Sequence, residues 1–194
     1  MSNSETVLQQ SLIELVQGSA WLMGALGAVR QLGLAEWCIG AGAVRGLVWD
    51  VLHKHEVSSV LHDVDVVYFD CSDISQQRDL ALQRKLSLIC PNVPWEVTNQ
   101  AGVHQWLESK FASTQAPFRS LQEGIASWPE FATAVGVFLD DDDLLRVVAP
   151  HGLNDLFAMR VRRNAASVSP QVYRQRIAEK RWSERWPLLE VVPC

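Results

Sequence analysis

Between residues 37 and 70 the chain reads WCIGAGAVRGLVWDVLHKHEVSSVLHDVDVVYFD, and this run restricts the fold more than any other. Residues 37–39 form a short apolar strand that ends in Gly40-Ala41-Gly42. Val44, Leu47, Val48, Val51 and Leu52 then recur at i, i+3, i+4, i+7 and i+8, which predicts a helix with one buried stripe. That stripe leaves Arg45, Asp50 and His53 away from the core. Residues 63–69 follow as a second strand, whose period of two sets Asp63, Asp65, Val67 and Phe69 on one face and Val64, Val66 and Tyr68 on the other. Both faces are apolar beyond the two aspartates, so the strand belongs inside a sheet.

The flanking chain supplies the rest of the sheet and its cover. Residues 5–34 carry two helical patterns parted near Gly18, with Gly33 as a terminator. Asp73 followed by Gln76 resembles a capping box opening a helix that runs to about Ile89. Pro91 and Pro94 break the chain before a strand over 95–98, and 101–111 can form a helix. Residues 117–129 read as loop with a helical turn or two. Two strands, 134–139 and 144–148, flank Asp140-Asp141-Asp142-Asp143 as a hairpin with a solvated acidic tip. A short helix near 153–157, an Arg-rich segment and a helix over about 170–185 complete the chain. Strands that alternate with helices early and pair as a hairpin late predict an α/β (α+β) fold with a mixed central sheet flanked by helices. The expected organisation is one domain, 1–194, with N-terminal helices (5–34) and a basic C-terminal helical segment (170–186).

Composition narrows the chemistry mainly by exclusion. Cys38, Cys71, Cys90 and Cys194 lie far apart with no CxxC pair, which argues against a zinc or redox motif. The first residues lack a basic n-region, and no apolar run approaches the ~20 residues that span a bilayer. A cytoplasmic protein without a membrane partner is expected. The net charge of -5 conceals a polarity, since 8 of the 17 Lys and Arg follow residue 150 but only 4 of the 22 Asp and Glu do. That basic end is not interleaved with a nucleic-acid motif, so it carries no strong nucleic-acid signature. Its expected role is a solvated helix face lying against the acidic body.

The glycine string Gly40-Ala41-Gly42-Ala43-Val44-Arg45-Gly46 admits two chemistries. One is a dinucleotide-binding βαβ unit, with Asp70 at the end of the next strand holding a ribose hydroxyl. That unit requires the two strands to be parallel, and it gives no role to Asp63 and Asp65, like charges that are unfavourable in a buried strand without a cation. In the other, the DxD pair ligates hard divalent cations such as Mg²⁺, and the loop amides cradle a triphosphate. A third carboxylate should come from a neighbouring strand, where Glu96 is well placed. Arg45 could contact a phosphate or pair with Asp50 on the surface. Asn99, Gln100 and His104 follow Glu96 closely enough to line the same cleft.

These segments carry a resemblance. The glycine loop, Asp63-Val64-Asp65-Val66-Val67-Tyr68-Phe69-Asp70, the Trp95-Glu96-Val97-Thr98-Asn99-Gln100 segment with His104, and Ala149-Pro150-His151-Gly152-Leu153-Asn154-Asp155-Leu156-Phe157 together resemble a bacterial family of predicted nucleotidyltransferases. That family belongs to the polymerase-β-type nucleotidyltransferase superfamily, and the resemblance runs from about Trp37 to Trp186. It implies a nucleotidyltransferase-like fold that moves a nucleoside monophosphate from an NTP to an unidentified hydroxyl acceptor (small molecule, protein or RNA). It further implies Asp63, Asp65 and Glu96 as catalytic residues and metal ligands, for which two Mg²⁺ ions are expected, and Gly40 and Gly42 as the phosphate-facing loop; Ala41, Arg45 and Asn99, by their position beside these, complete the candidate nucleotide-binding set. The chain departs from the superfamily pattern in placing Ala41 and Ala43 around Gly42, with no serine in the loop, and in starting its DxD pair only at Asp63. A catalytically silent module of the same fold, binding a nucleotide or a protein, is the alternative those departures suggest.

Overall fold

The computed structural model describes residues 3–57, 59–104 and 116–194. Of the helix expected over 101–111, residues 105–111 lie outside the described residues. Gln100–Gly102 form a 3-10 turn.

Five strands build a mixed sheet in the order β3-β2-β1-β4-β5. They are β1 (Trp37–Gly40), β2 (Val64–Tyr68), β3 (Trp95–Asn99), β4 (Gly136–Leu139) and β5 (Leu145–Val148). Only β2 and β3 run parallel; β1 pairs antiparallel with both β2 and β4, and β4 with β5. The period of two in β2 sorts its side chains between two cores. Val64, Val66 and Tyr68 join the larger cluster with Leu22, Leu26, Val44 and Leu86, while Val67 meets Cys38, Leu121 and Ile125 on the opposite face.

The larger face is covered by α1 (Asn3–Gln17), α2 (Ala20–Arg30), α3 (Ala41–Leu52) and α4 (Gln76–Ile89). The smaller face lies under α5 (Leu121–Ala126) and Trp128. Among the described residues no single helix is long and apolar enough to cross a membrane. α4 departs from the expected capping box. Ser75 is its N-cap and accepts from the Arg78 amide, whereas the Asp73 carboxylate closes a local turn onto the Ser75 amide.

After the hairpin come α6 (Asn154–Phe157), β6 (Arg160–Val161), α7 (Pro170–Lys180), α8 (Trp182–Arg185) and β7 (Glu190–Val191). The expected single helix over 170–185 is broken at Arg181, which sits left-handed at φ 49°. The break turns Trp182 and Trp186 inward against Trp49, at ring separations of 6.2 and 5.2 Å. The basic end does pack on the acidic body, but one of its contacts is interior. Arg176 grips the fully buried Glu130 through two bonds of 2.7 and 3.1 Å. At the hairpin tip Asp140 accepts from the Asp142 and Leu144 amides and from Arg146, and Arg30 pairs with Asp141 and Asp143.

Candidate active site

Antiparallel pairing of β1 and β2 is the step that creates the site. Ile39 lies opposite Val66, so the end of β1 and the start of β2 meet at the same edge of the sheet. α3 leaves from Gly40 and the chain returns to that edge, which brings Asp63 beside the first turn of the helix. A parallel βαβ unit would have put Asp63 at the far end. The dinucleotide alternative is therefore overturned by the pairing, and Asp70 is committed elsewhere, holding Arg78 at 2.6 Å and the Ser72 amide and hydroxyl.

The glycine loop works differently from its sequence signature. Gly40 is extended (φ -139°), and the left-handed residue is Ala41 at φ 49°. What Gly40 supplies is room: a Cβ there would stand 2.7 Å from the Trp128 ring and 2.9 Å from the Val135 carbonyl oxygen. Ala41 donates its amide to that same carbonyl. Gly42 opens the site proper. A Cβ on it would meet Asp63 Oδ1 at 3.6 Å and Arg45 Nη2 at 3.9 Å, so a carboxylate and a guanidinium look onto one point over the helix N-terminus.

Arg45 corrects the helical-stripe expectation. It is buried, because the Trp182 and Trp186 segment covers the side of α3 that the apolar stripe leaves out. Its guanidinium lies 5.2 Å from the Trp49 ring centre and 4.8 Å from that of Trp182, and Nη1 donates to Thr133 Oγ1 at 2.9 Å. Its Nε is buried without a hydrogen-bond partner. Burial pulls its pKa down to about 10, against the raising fields of Glu130, Asp65 and Asp63, so it stays charged at neutral pH. Nor does it pair with Asp50, which is also buried. Asp50 accepts from the Ser59 amide and hydroxyl and from the Trp186 indole, and it faces His55.

Parallel pairing of β2 with β3 sets Asp65 directly beside Glu96. None of Asp63, Asp65 and Glu96 makes a hydrogen bond or ion pair among the described residues. The Asp65 carboxyl is pushed up to about 6, first by burial and then by the charges of Asp63 and Glu96. Among the described residues no three His, Cys, Asp or Glu groups stand close enough to hold one ion. The donor chemistry nevertheless suits a hard divalent cation, since three unpartnered carboxylates repel one another without a countercharge.

A cleft of about 500 Å³ opens over this edge. Gly42, Arg45, Gly46 and Asp63 form one side, and residues 179–182 and 184–186 form the other; Asp65 and Glu96 are not in its lining. Asn99 is elsewhere too. Its amide is used up on the Asp70 amide and carbonyl, the Asp73 carbonyl and the Ala101 amide, which makes it a structural lock at the end of β3 rather than a nucleotide contact. Gln100 is buried against Gly124. Sequence reasoning missed Thr133, just before β4, and did not place Lys180 and Trp182, which reach the site because the C-terminal segment folds back; the basic run was the one available signal.

A glycine loop entering a helix beside a DxD strand, with a third acid on the next parallel strand, defines a class: domains that handle nucleoside triphosphates by nucleotidyl transfer. The chain belongs to the nucleotidyltransferase family, whose model matches residues 27–191. It is similar to a structure described as a CCA-adding enzyme head domain, with 28% identity and a TM-score of 0.77, covering 95% of this chain and 96% of that one. A CCA-adding enzyme with CTP shares the fold at 12% identity and TM-score 0.55, over 95% of this chain and 43% of that one. A tRNA nucleotidyltransferase with a primer tRNA and an ATP analog does so at 18% and 0.50, over 87% and 46%. The chain thus spans less than half of these two enzymes. No curated protein matches it.

Proposed function

We propose that this chain transfers a nucleoside monophosphate from an NTP to a hydroxyl acceptor and releases pyrophosphate. The observation that carries the reading is the convergence of Asp63 Oδ1 and Arg45 Nη2 over Gly42, at 3.6 and 3.9 Å from where a Cβ would be. A phosphate seated there receives the Arg45 guanidinium and the first amides of α3, whose partial positive charge suits an anion. Arg45 is pre-positioned by Thr133 and the two tryptophans, so little reorganisation accompanies binding. Asp63, Asp65 and Glu96 would hold Mg²⁺, two ions in the active complex, which supply charge neutralisation and activation of the attacking oxygen.

The acceptor oxygen forms its bond to the α-phosphorus as the bond to the bridging oxygen breaks and pyrophosphate leaves, and Glu96 would take up the hydroxyl proton. The acceptor class the similar structures favour is an RNA end, since one of them is a tRNA nucleotidyltransferase complexed with a primer tRNA. Calorimetry with each NTP and Mg²⁺, paired with transfer of labelled NTP into an acceptor from cell extract, tests the reading. Binding and transfer are expected in the wild type, and both Asp63→Asn and Asp65→Asn should lose transfer. If no NTP binds, or if both variants turn over normally, the assignment is wrong. Binding without turnover would point instead to the silent module.

A further inference from the structure

The cleft has a second wall, built by the C-terminal segment. Lys180 ends α7 and Arg185 ends α8, and both line the cleft opposite Gly42, Arg45 and Asp63. Two acids on that wall are already engaged: Glu184 with Arg181 at 2.6 Å, and Glu179 with Gln175 at 2.8 Å. Arg185 lies over the Trp186 ring and donates one Nη1 bond to the Val60 carbonyl, which fixes its direction and leaves donors over. Lys180 makes no hydrogen bond or ion pair among the described residues, so its whole ammonium is available.

The wall is held firmly. Arg176 anchors α7 to buried Glu130, the Tyr173 hydroxyl contacts the Val161 and Val192 carbonyl oxygens, and Trp182 and Trp186 are buried against Trp49. Two cations with no acid partner among the described residues therefore face a buried one, Arg45, across a cleft wide enough for a polyanion. Resting on the nucleotidyl-transfer reading, we propose that Lys180, aided by Arg185, binds the β- and γ-phosphates of the NTP and retains the pyrophosphate as it leaves. Arg45 and α3 then hold the phosphate nearest the carboxylates, and the C-terminal wall holds the tail of the same chain of phosphates.

The test is calorimetry on the full chain with Mg²⁺, using pyrophosphate, the tightest-binding of the four ribonucleoside triphosphates, and the matching monophosphate. One charge-assisted contact corresponds to roughly a tenfold change in affinity. Lys180→Ala should weaken triphosphate and pyrophosphate by about tenfold or more and leave the monophosphate unchanged, while Lys180→Arg stays near wild type. Because Lys180 is exposed, its unfolding midpoint serves as a control and should not move. Triphosphate binding by Lys180→Ala equal to wild type, or an equal loss of monophosphate, would overturn the proposal while leaving nucleotidyl transfer standing. A wild type that binds neither triphosphate nor pyrophosphate would remove both.

Discussion

Asp65→Asn should stabilise the metal-free protein at neutral pH while abolishing transfer. The Asp65 carboxyl is raised from 3.8 to about 6 by burial, then by Asp63 and Glu96, with Arg45 and Lys180 pulling the other way. A carboxyl with a raised native pKa contributes stability that is fully present below its unfolded pKa and is lost as pH rises through the folded one. At about 1.36 kcal/mol per pH unit, the interval from 3.8 to about 6 withdraws about 3 kcal/mol by pH 7. Asparagine is neutral at every pH and close in shape, so it avoids that loss. Urea unfolding in a chelator should show the variant more stable by about 1 to 3 kcal/mol at pH 7.5 and equal to wild type at pH 3.5. Added Mg²⁺ should then stabilise the wild type and not the variant, by mass action on the native state. An increment that is absent at pH 7.5, or the same at both pH values, would refute the reasoning.

Four further substitutions probe the surrounding scaffold. Gly40→Ala should destabilise by about 1 to 3 kcal/mol, because its methyl meets the Trp128 ring and the Val135 carbonyl at once, as denaturant midpoints will show. Gly42→Ala has ordinary van der Waals room, so it should fold normally and lose NTP affinity in calorimetry. Arg176→Met strands a buried carboxylate and should cost about 3 to 5 kcal/mol in chemical denaturation, with Glu130→Gln added in the same chain recovering most of it. Arg181→Gly should raise the thermal midpoint, since glycine removes a left-handed strain of about 1 to 2 kcal/mol against the entropy glycine adds to the unfolded chain.

Local pattern made much of the scaffold legible. The alternation in β2, the hairpin around Asp140 and the two N-terminal helices followed from periodicity, because each depends on which residues share a face. The register that places Glu96 beside Asp65 followed from neither segment alone, but both strands were visible. What escaped depends on contacts distant in the chain. Arg45 occupies a polar position of an amphipathic stripe, and nothing near it shows that Trp182 will cover it. Arg181 gives no sign of a helix break, since the break is driven by burial of Trp182 and Trp186 and not by glycine or proline. Asn99 has the residue type of a ligand contact, yet backbone groups of the Asp70–Asp73 turn use it fully.

Several unbalanced charges of this arrangement lie where a ligand would neutralise them. Arg181, which lines the cleft, and Ala41, the neighbour of the lining residue Gly42, are both left-handed. Between them lie Arg45, whose Nε lacks a partner, and Asp63, next to an Asp65 that burial and like charges keep hard to ionise. Away from that edge, buried charges are matched: Glu130 by Arg176, Asp155 by Arg162, Asp50 by Ser59, His55 and Trp186. Strained backbone persists only when its surroundings over-determine it, and Trp49, Trp182 and Trp186 do so here through edge-to-face packing. Cations on the carboxylate side and phosphates on the guanidinium side would cancel opposite surpluses that have no ion-pair partner among the described residues. On the nucleotidyl-transfer reading proposed above, a bound metal-nucleotide would account for these unpaired charges, which the fold does not require.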